Sequence, residues 1–218
     1  LFFVLEISLL SSRASCSSVE LEASKSIGLK KASKVILPKP FWRKKKKVFQ
    51  KILEEREIVV RSTVPSTDLG DETIYEFNID AVGLVKSPLS ASTEIVWDLE
   101  KLPQVHDAFK EVKYFKDQGK AFLNISSFGF WAKMILALEK RANEGVEEMR
   151  WECVQGSFKG MKGVIRMESQ GLDKTLVSLV GRYKSTNLPL PKPLMGLGLE
   201  ILAKQVAKSL RRHMEEQY

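Results

Sequence analysis

Between Phe109 and Ser185 the chain leaves no room for a crossover helix, and that constrains its fold more than any other feature. Strand-like segments run over Phe109–Lys116, Ala121–Phe128, Trp131–Ala142, Val146–Val154, Met161–Ser169 and Thr175–Ser185. The breaks between them are short turn signals: Asp117-Gln118-Gly119, Gly129, Asn143-Glu144-Gly145, Gln155–Gly160 and Asp173. Strands joined this way pair antiparallel with their neighbours. Parallel pairing needs a connection of a dozen or more residues, usually a helix, so a parallel α/β sheet is excluded.

Within the segments the side chains alternate. Tyr75, Phe77, Ile79 and Ala81 alternate with Glu76, Asn78 and Asp80. Met149, Trp151 and Cys153 stand against Glu148, Arg150 and Glu152, and Met161, Gly163, Ile165 and Met167 against Lys162, Arg166 and Glu168. A period of two marks a sheet with one dry and one wet face. Ile58–Val64 reads as a first strand or its lead-in, and Ser66–Asp71 as a turn region. After Ser87-Pro88 come two short helices, Ser90–Leu99 and one opening on Leu102-Pro103. The Pro-rich run Leu188–Pro193 then leads into a long helix from about Leu194 to Gln217, with Leu199, Leu202, Val206, Leu210 and Met214 on one apolar stripe. A dry sheet face must be covered, and this helix is the one long cover available. The expected fold class is α+β: a curved antiparallel sheet of six to seven strands around a long C-terminal helix, with two short helices after the first strand. A twisted sheet of that size curls, and one helix cannot fill the concavity, so a hollow for a hydrophobic small molecule is expected.

The net charge of +8 lies mostly outside this region. Residues 1–60 carry a balance of +7 and residues 61–218 only +1. A nucleic-acid-binding domain carries its basic stripe on the folded part, so nucleic acid is not expected as a partner. Leu1–Leu10 is apolar, and Ser12 and Ala14 are spaced for a small-x-small cut. Residues 1–24 are therefore a candidate signal peptide. A Ser-rich organellar transit peptide and a frayed apolar terminus are the alternatives. Arg13 argues against a lipoprotein signal ending at Cys16. An exported protein, periplasmic or membrane-associated, follows from the first reading, and an organellar or cytoplasmic one from the others. Residues 25–60 read as a basic linker with a short helix over Lys47–Glu57, and residues 61–218 as the domain. Within the linker, Phe41, Trp42, Arg43, Lys44, Lys45, Lys46 and Lys47 form an aromatic and cationic run suited to an anionic membrane surface. A solvated basic face is the plainer alternative.

The stretch Val85-Lys86-Ser87-Pro88, then Glu94–Leu99, Leu102-Pro103 and Phe109-Lys110-Glu111-Val112, resembles the opening of START-like helix-grip (SRPBCC) domains. That superfamily includes polyketide cyclase/dehydrase-type and coenzyme Q-binding proteins. The resemblance covers about Glu72–Tyr218. It implies a ligand held between sheet and terminal helix, with Leu199, Leu202 and Val206 on the helix side and Leu138, Met149, Trp151, Ile165 and Met167 on the strand side. Plain core packing is the alternative role for each.

No cofactor, metal or catalytic set is expected. No Cys/His spacing suits zinc, and no Ser, His and acid set stands out. Gly156, Gly160 and Gly163 fall in a hairpin and not between a strand and a helix, which argues against a phosphate loop. His106 and His213 are the only histidines; the first follows the short helices near a possible cavity mouth, the second sits in the last helix turn. Cys153 reads as a buried thiol. Binding or transport of a lipid, quinone or polyketide-like molecule is the expected function. A cyclase/dehydrase-type enzyme using the same hollow is the alternative, and whether the chain is an enzyme stays open.

Overall fold

The computed structural model describes residues 41–218. The candidate targeting segment, 1–24, and residues 25–40 of the expected linker lie outside the described residues. A short helical turn, Phe41–Lys44, precedes α1 (Lys46–Glu54). The sheet then builds from β1 (Val59–Thr63), β2 (Ser66–Leu69) and β3 (Glu72–Val85). Next come α2 (Leu89–Trp97) and α3 (Leu102–Val105), followed by β4 (Phe109–Phe115), β5 (Lys120–Ser127), β6 (Phe130–Asn143), β7 (Val146–Gly156), β8 (Lys162–Ser169) and β9 (Thr175–Ser185). A wide π-type turn, Leu194–Gly198, runs straight into α4 (Leu199–Glu216).

All pairings are antiparallel, in the order β1-β3-β9-β8-β7-β6-β5-β4, with β2 also on β3. The sheet has nine strands where six to seven were expected. One of the additions is β2, read from sequence as a turn region. It and β1 share the free edge of β3, β1 against Asn78–Val82 and β2 against Glu72–Tyr75. Pro65 separates them because proline cannot donate to the ladder. Its carbonyl accepts from the Glu76 amide at 2.9 Å, which keeps the edge paired across the break.

The concave face takes Phe77, Ile79 and Ala81 from β3 and Met149, Trp151 and Cys153 from β7, as the alternation predicts. Trp151 lies flat because its cross-strand partner is Gly163. A Cβ at Gly163 would meet the indole at 2.3 Å and the Val180 carbonyl at 2.5 Å.

The convex face differs from the expected wet one. Val82, Leu84, Leu176 and Val180 are buried there under Trp42 and Ile52, with Val48, Phe49 and Leu53 around them. Phe41, Trp42, Val48, Phe49, Ile52, Leu53 and Val59, from the segment expected as a linker, belong to this second apolar layer on the sheet. The membrane reading of Phe41–Lys47 changes with it. Trp42 is 1% exposed, Phe41 stacks edge-on against it at 5.5 Å, and Arg43 pairs with Glu168 on the sheet. The two rings are taken up by the sheet and are not free to enter lipid headgroups. Lys45, Lys46 and Lys47 remain exposed.

Trp42→Ala is expected to lower unfolding stability by about 3–5 kcal/mol, the range for deleting a buried large aromatic ring. Urea denaturation followed by circular dichroism measures it. A change under about 0.5 kcal/mol, normal for a surface site, would return residues 41–54 to the status of a linker.

Candidate ligand cavity

Two methionines fix α4 over the sheet. Met195, just ahead of the helix, is wholly buried against Phe77, Ile79, Phe158 and Tyr183. Met214, near its end, is buried with Val85, Val96, Leu99 and Met149. Polar contacts secure the second end. The Glu215 carboxylate accepts from the Lys86 amide at 2.8 Å and pairs with Arg56, and Arg211 Nη1 donates to the Arg56 carbonyl at 2.6 Å.

Between these anchors the helix bridges a hollow of about 410 Å³. Leu199, Leu202 and Val206 look down on it, and Leu138, Met149, Trp151 and Ile165 line it from the strands. Met167 does not line it. Its side chain is wholly buried in the core cluster with Met149, Val85 and Val96. It follows the inward alternation of β8 but lies toward the end that α2 plugs, so helix residues and not guest atoms cover it.

Sequence reasoning missed the other end of the hollow. The β5–β6 hairpin tip contributes Phe128, Phe130 and Trp131, which line the hollow while staying exposed. Leu190 and Leu194, from the Pro-rich run and the wide turn, also line the hollow. One end is thus closed by α2 and Met214, and the other opens at an aromatic rim. The signal was present: Phe-Gly-Phe-Trp occupies a tight turn, where Asn-Gly is the usual sequence.

Arg211 is the one charged residue on the wall, and Ser127 the one hydroxyl. Burial and the neighbouring Arg56 lower the Arg211 pKa against the opposing pull of Glu215. Burial raises the Cys153 thiol, which also lines the hollow and donates to the Gln155 carbonyl at 3.3 Å. His106 lies off the cavity wall, its Nδ1 accepting from the Ala108 amide at 3.1 Å. His213 sits beside Gln217, also off the wall. The strand-face charges pair among themselves, Glu139 with Arg141, Glu148 with Arg150 and Arg166, and Glu152 with Lys162. Among the described residues no group of three His, Cys, Asp or Glu is placed to hold a metal ion, and no helix is long and apolar enough to cross a membrane.

This architecture is shared with solved structures. A START superfamily protein from Mycobacterium smegmatis is 20% identical with a TM-score of 0.55, over 65% of this chain and 99% of that one. A STAR-related lipid transfer protein from Xanthomonas axonopodis is 14% identical with a TM-score of 0.52, over 70% of this chain and 98% of that one. The Zhui aromatase/cyclase from Streptomyces sp. R1128 is 13% identical with a TM-score of 0.51, over 65% of this chain and 95% of that one. The chain has the START-like helix-grip fold. No family model and no curated protein matches its sequence.

Glu215 offers a pH test of the clamp. Burial pushes its carboxyl up, but the Lys86 amide, Arg56 and Arg211 together outweigh burial and hold it below the ordinary value of 4.5. A native pKa below the unfolded one adds stability that is complete above the unfolded value and fades as pH falls through the native one. Glu215→Gln should therefore lower the urea midpoint at pH 7, and its gap from the parent protein should close as pH drops below 4.5. A gap that stays constant with pH would mean that the carboxylate charge does not hold the helix.

Proposed function

We propose that this chain binds or carries a hydrophobic small molecule, such as a lipid, a quinone or a polyketide-like compound, without transforming it. One observation carries the reading: a hollow of about 410 Å³ under α4 whose wall holds a single charged side chain. That volume lies within the roughly 300–1,000 Å³ of small-molecule sites. An apolar guest would remove the hydrocarbon wall from water, which stabilises by about 25 cal/mol per Å² of apolar surface buried. The lipid transfer protein among the similar folds is consistent with such a guest.

A cyclase-type reaction is the weaker reading, although one similar fold is an aromatase/cyclase. Acid–base chemistry needs at least two polar groups converging on a reacting atom. Ser127 stands at the hairpin end of the hollow, and Arg211 stands beside Met214 at the closed end, its guanidinium held by the Arg56 carbonyl. They do not converge.

The test is native mass spectrometry of the purified full chain, with extraction and identification of what it carries. A bound apolar molecule is the expected result. Val206→Trp places a large ring inside the hollow. It should cut loading at least tenfold while leaving the thermal midpoint unchanged or higher, because the ring fills space that the guest would occupy. A chain that purifies empty and fails to take up a fluorescent fatty acid at micromolar concentration would overturn the reading. So would a Val206→Trp variant that loads as well as its parent.

A further inference from the structure

A second cleft lies beside the hollow, and its wall has the opposite chemistry. It is open, about 420 Å³ in volume, and sits where the start of β3 meets the Pro-rich run that follows β9. Tyr75, Thr186, Asn187 and Lys192 line it, and no acidic residue does.

The cleft is fixed by the fold around it. Tyr75 is paired on both sides, with Ser66 of β2 and Ser185 of β9. Ser185 Oγ donates to the Asn187 carbonyl at 2.7 Å and accepts from the Asn187 amide at 3.1 Å. That turn's backbone is closed on itself, and Asn187 still lines the cleft. Pro191 and Pro193 flank Lys192, and their rings fix φ. The Lys192 ammonium stands 5.9 Å from the centre of the Tyr75 ring. Among the described residues it is paired with no carboxylate. One uncompensated cation, two hydroxyls and an amide, held in place before a ligand arrives, suit an anionic oxygen group. The ammonium supplies the opposite charge, and the hydroxyl and amide groups donate hydrogen bonds.

Leu190 joins the two spaces, because it lines both the hollow and the cleft. Inside the hollow the one charged residue, Arg211, is engaged by the Arg56 carbonyl at the closed end. A guest's polar end therefore finds no free partner there, whereas past Leu190 it meets Lys192.

We infer that the guest is an anionic amphiphile. Its alkyl chain fills the hollow, and its head group, a carboxylate or a phosphate, lies in the cleft against Lys192, Thr186, Asn187 and Tyr75. The inference rests on the reading that the hollow holds a hydrophobic molecule, and it adds the charge and the position of that molecule's head.

The experiment is isothermal titration calorimetry of the full chain with lauric acid, lauryl phosphate and lauryl alcohol. Lys192→Gln should bind the acid, the phosphate or both about fivefold more weakly than the parent, the upper end for an exposed ion pair, and the alcohol equally well. The anion with the larger loss identifies the head group. Lys159→Gln, which removes an exposed lysine outside the cleft, should bind all three like the parent. Val206→Trp should weaken all three alike, because it acts on the chain and not on the head. Unchanged binding of both anions by Lys192→Gln would overturn the inference and leave the proposed function standing. An equal loss for the alcohol, or the same anion loss in Lys159→Gln, would also overturn it. A parent that binds none of the three would overturn the proposed function, and the head-group assignment would fall with it.

Discussion

Everything in this molecule depends on a helix held down at its two ends. Met195 and Met214 are nineteen positions apart and both wholly buried or nearly so, about 28 Å at the helical rise of 1.5 Å per residue. Each is enclosed by residues of the sheet, and the second is reinforced by Glu215 and Arg211 against Arg56 and the Lys86 amide. With both ends fixed, the middle of α4 cannot drop onto the sheet. The sheet cannot rise to meet it either, because antiparallel strands twist and curl away. Close packing, the rule for protein interiors, is therefore satisfied at the anchors and suspended between them.

The convex face explains why the sheet can hold that curvature with so much of its concave side unpacked. Val82 and Leu84 of β3, Leu176 and Val180 of β9, and Trp42 and Ile52 from the preceding segment form a second apolar layer. The middle of the sheet is thus buried on one side by α1 and anchored at two places on the other. Ion pairs flank that layer, with Asp80 to Arg182 at 2.7 Å and Arg166 to Glu168 at 2.7 Å. The fold is held from the back and at the two anchors, on either side of the hollow.

Much of this could be read from the residues. The period-two alternation set which side of β7 and β8 faces inward, and the spacing of Leu199, Leu202 and Val206 set the inner stripe of α4. These are local periodicities, and one-dimensional patterns carry them. What escaped depended on context. In Ala81–Val85, and in Leu176–Val180 apart from Ser178, the alternation gives way to apolar runs, the mark of strands buried on both faces. Their partner layer was not sought in a segment that reads as a cationic linker. β2 escaped because Ser66–Leu69 is wholly exposed and forms a strand only by adding to the edge of β3. Met167 was assigned to the hollow because alternation tells which face a residue is on, not how far along the strand the hollow extends. The rim escaped because Phe128 sits at a turn position where its residue type is disfavoured, and a propensity argument looks past such positions.

The wall chemistry also limits how finely a guest of the proposed class can be chosen. A hydrocarbon pocket distinguishes ligands differing by one methylene by only about 1–3 kcal/mol, whereas a site built to hydrogen-bond rejects a guest lacking the matching group far more strongly. This hollow has no such site in its depth. Its one cation, Arg211, is engaged by the Arg56 carbonyl and faces Glu215, so it serves the helix clamp. A guest carrying a polar end would leave that end unsolvated if it pointed toward Met214, at several kcal/mol for an unpaired buried polar group. The opposite orientation places it at the rim, near Ser127 and water. Selection is then by length and girth within the hollow and by polarity at its opening, and the orientation follows from the clamp having taken the only charge inside.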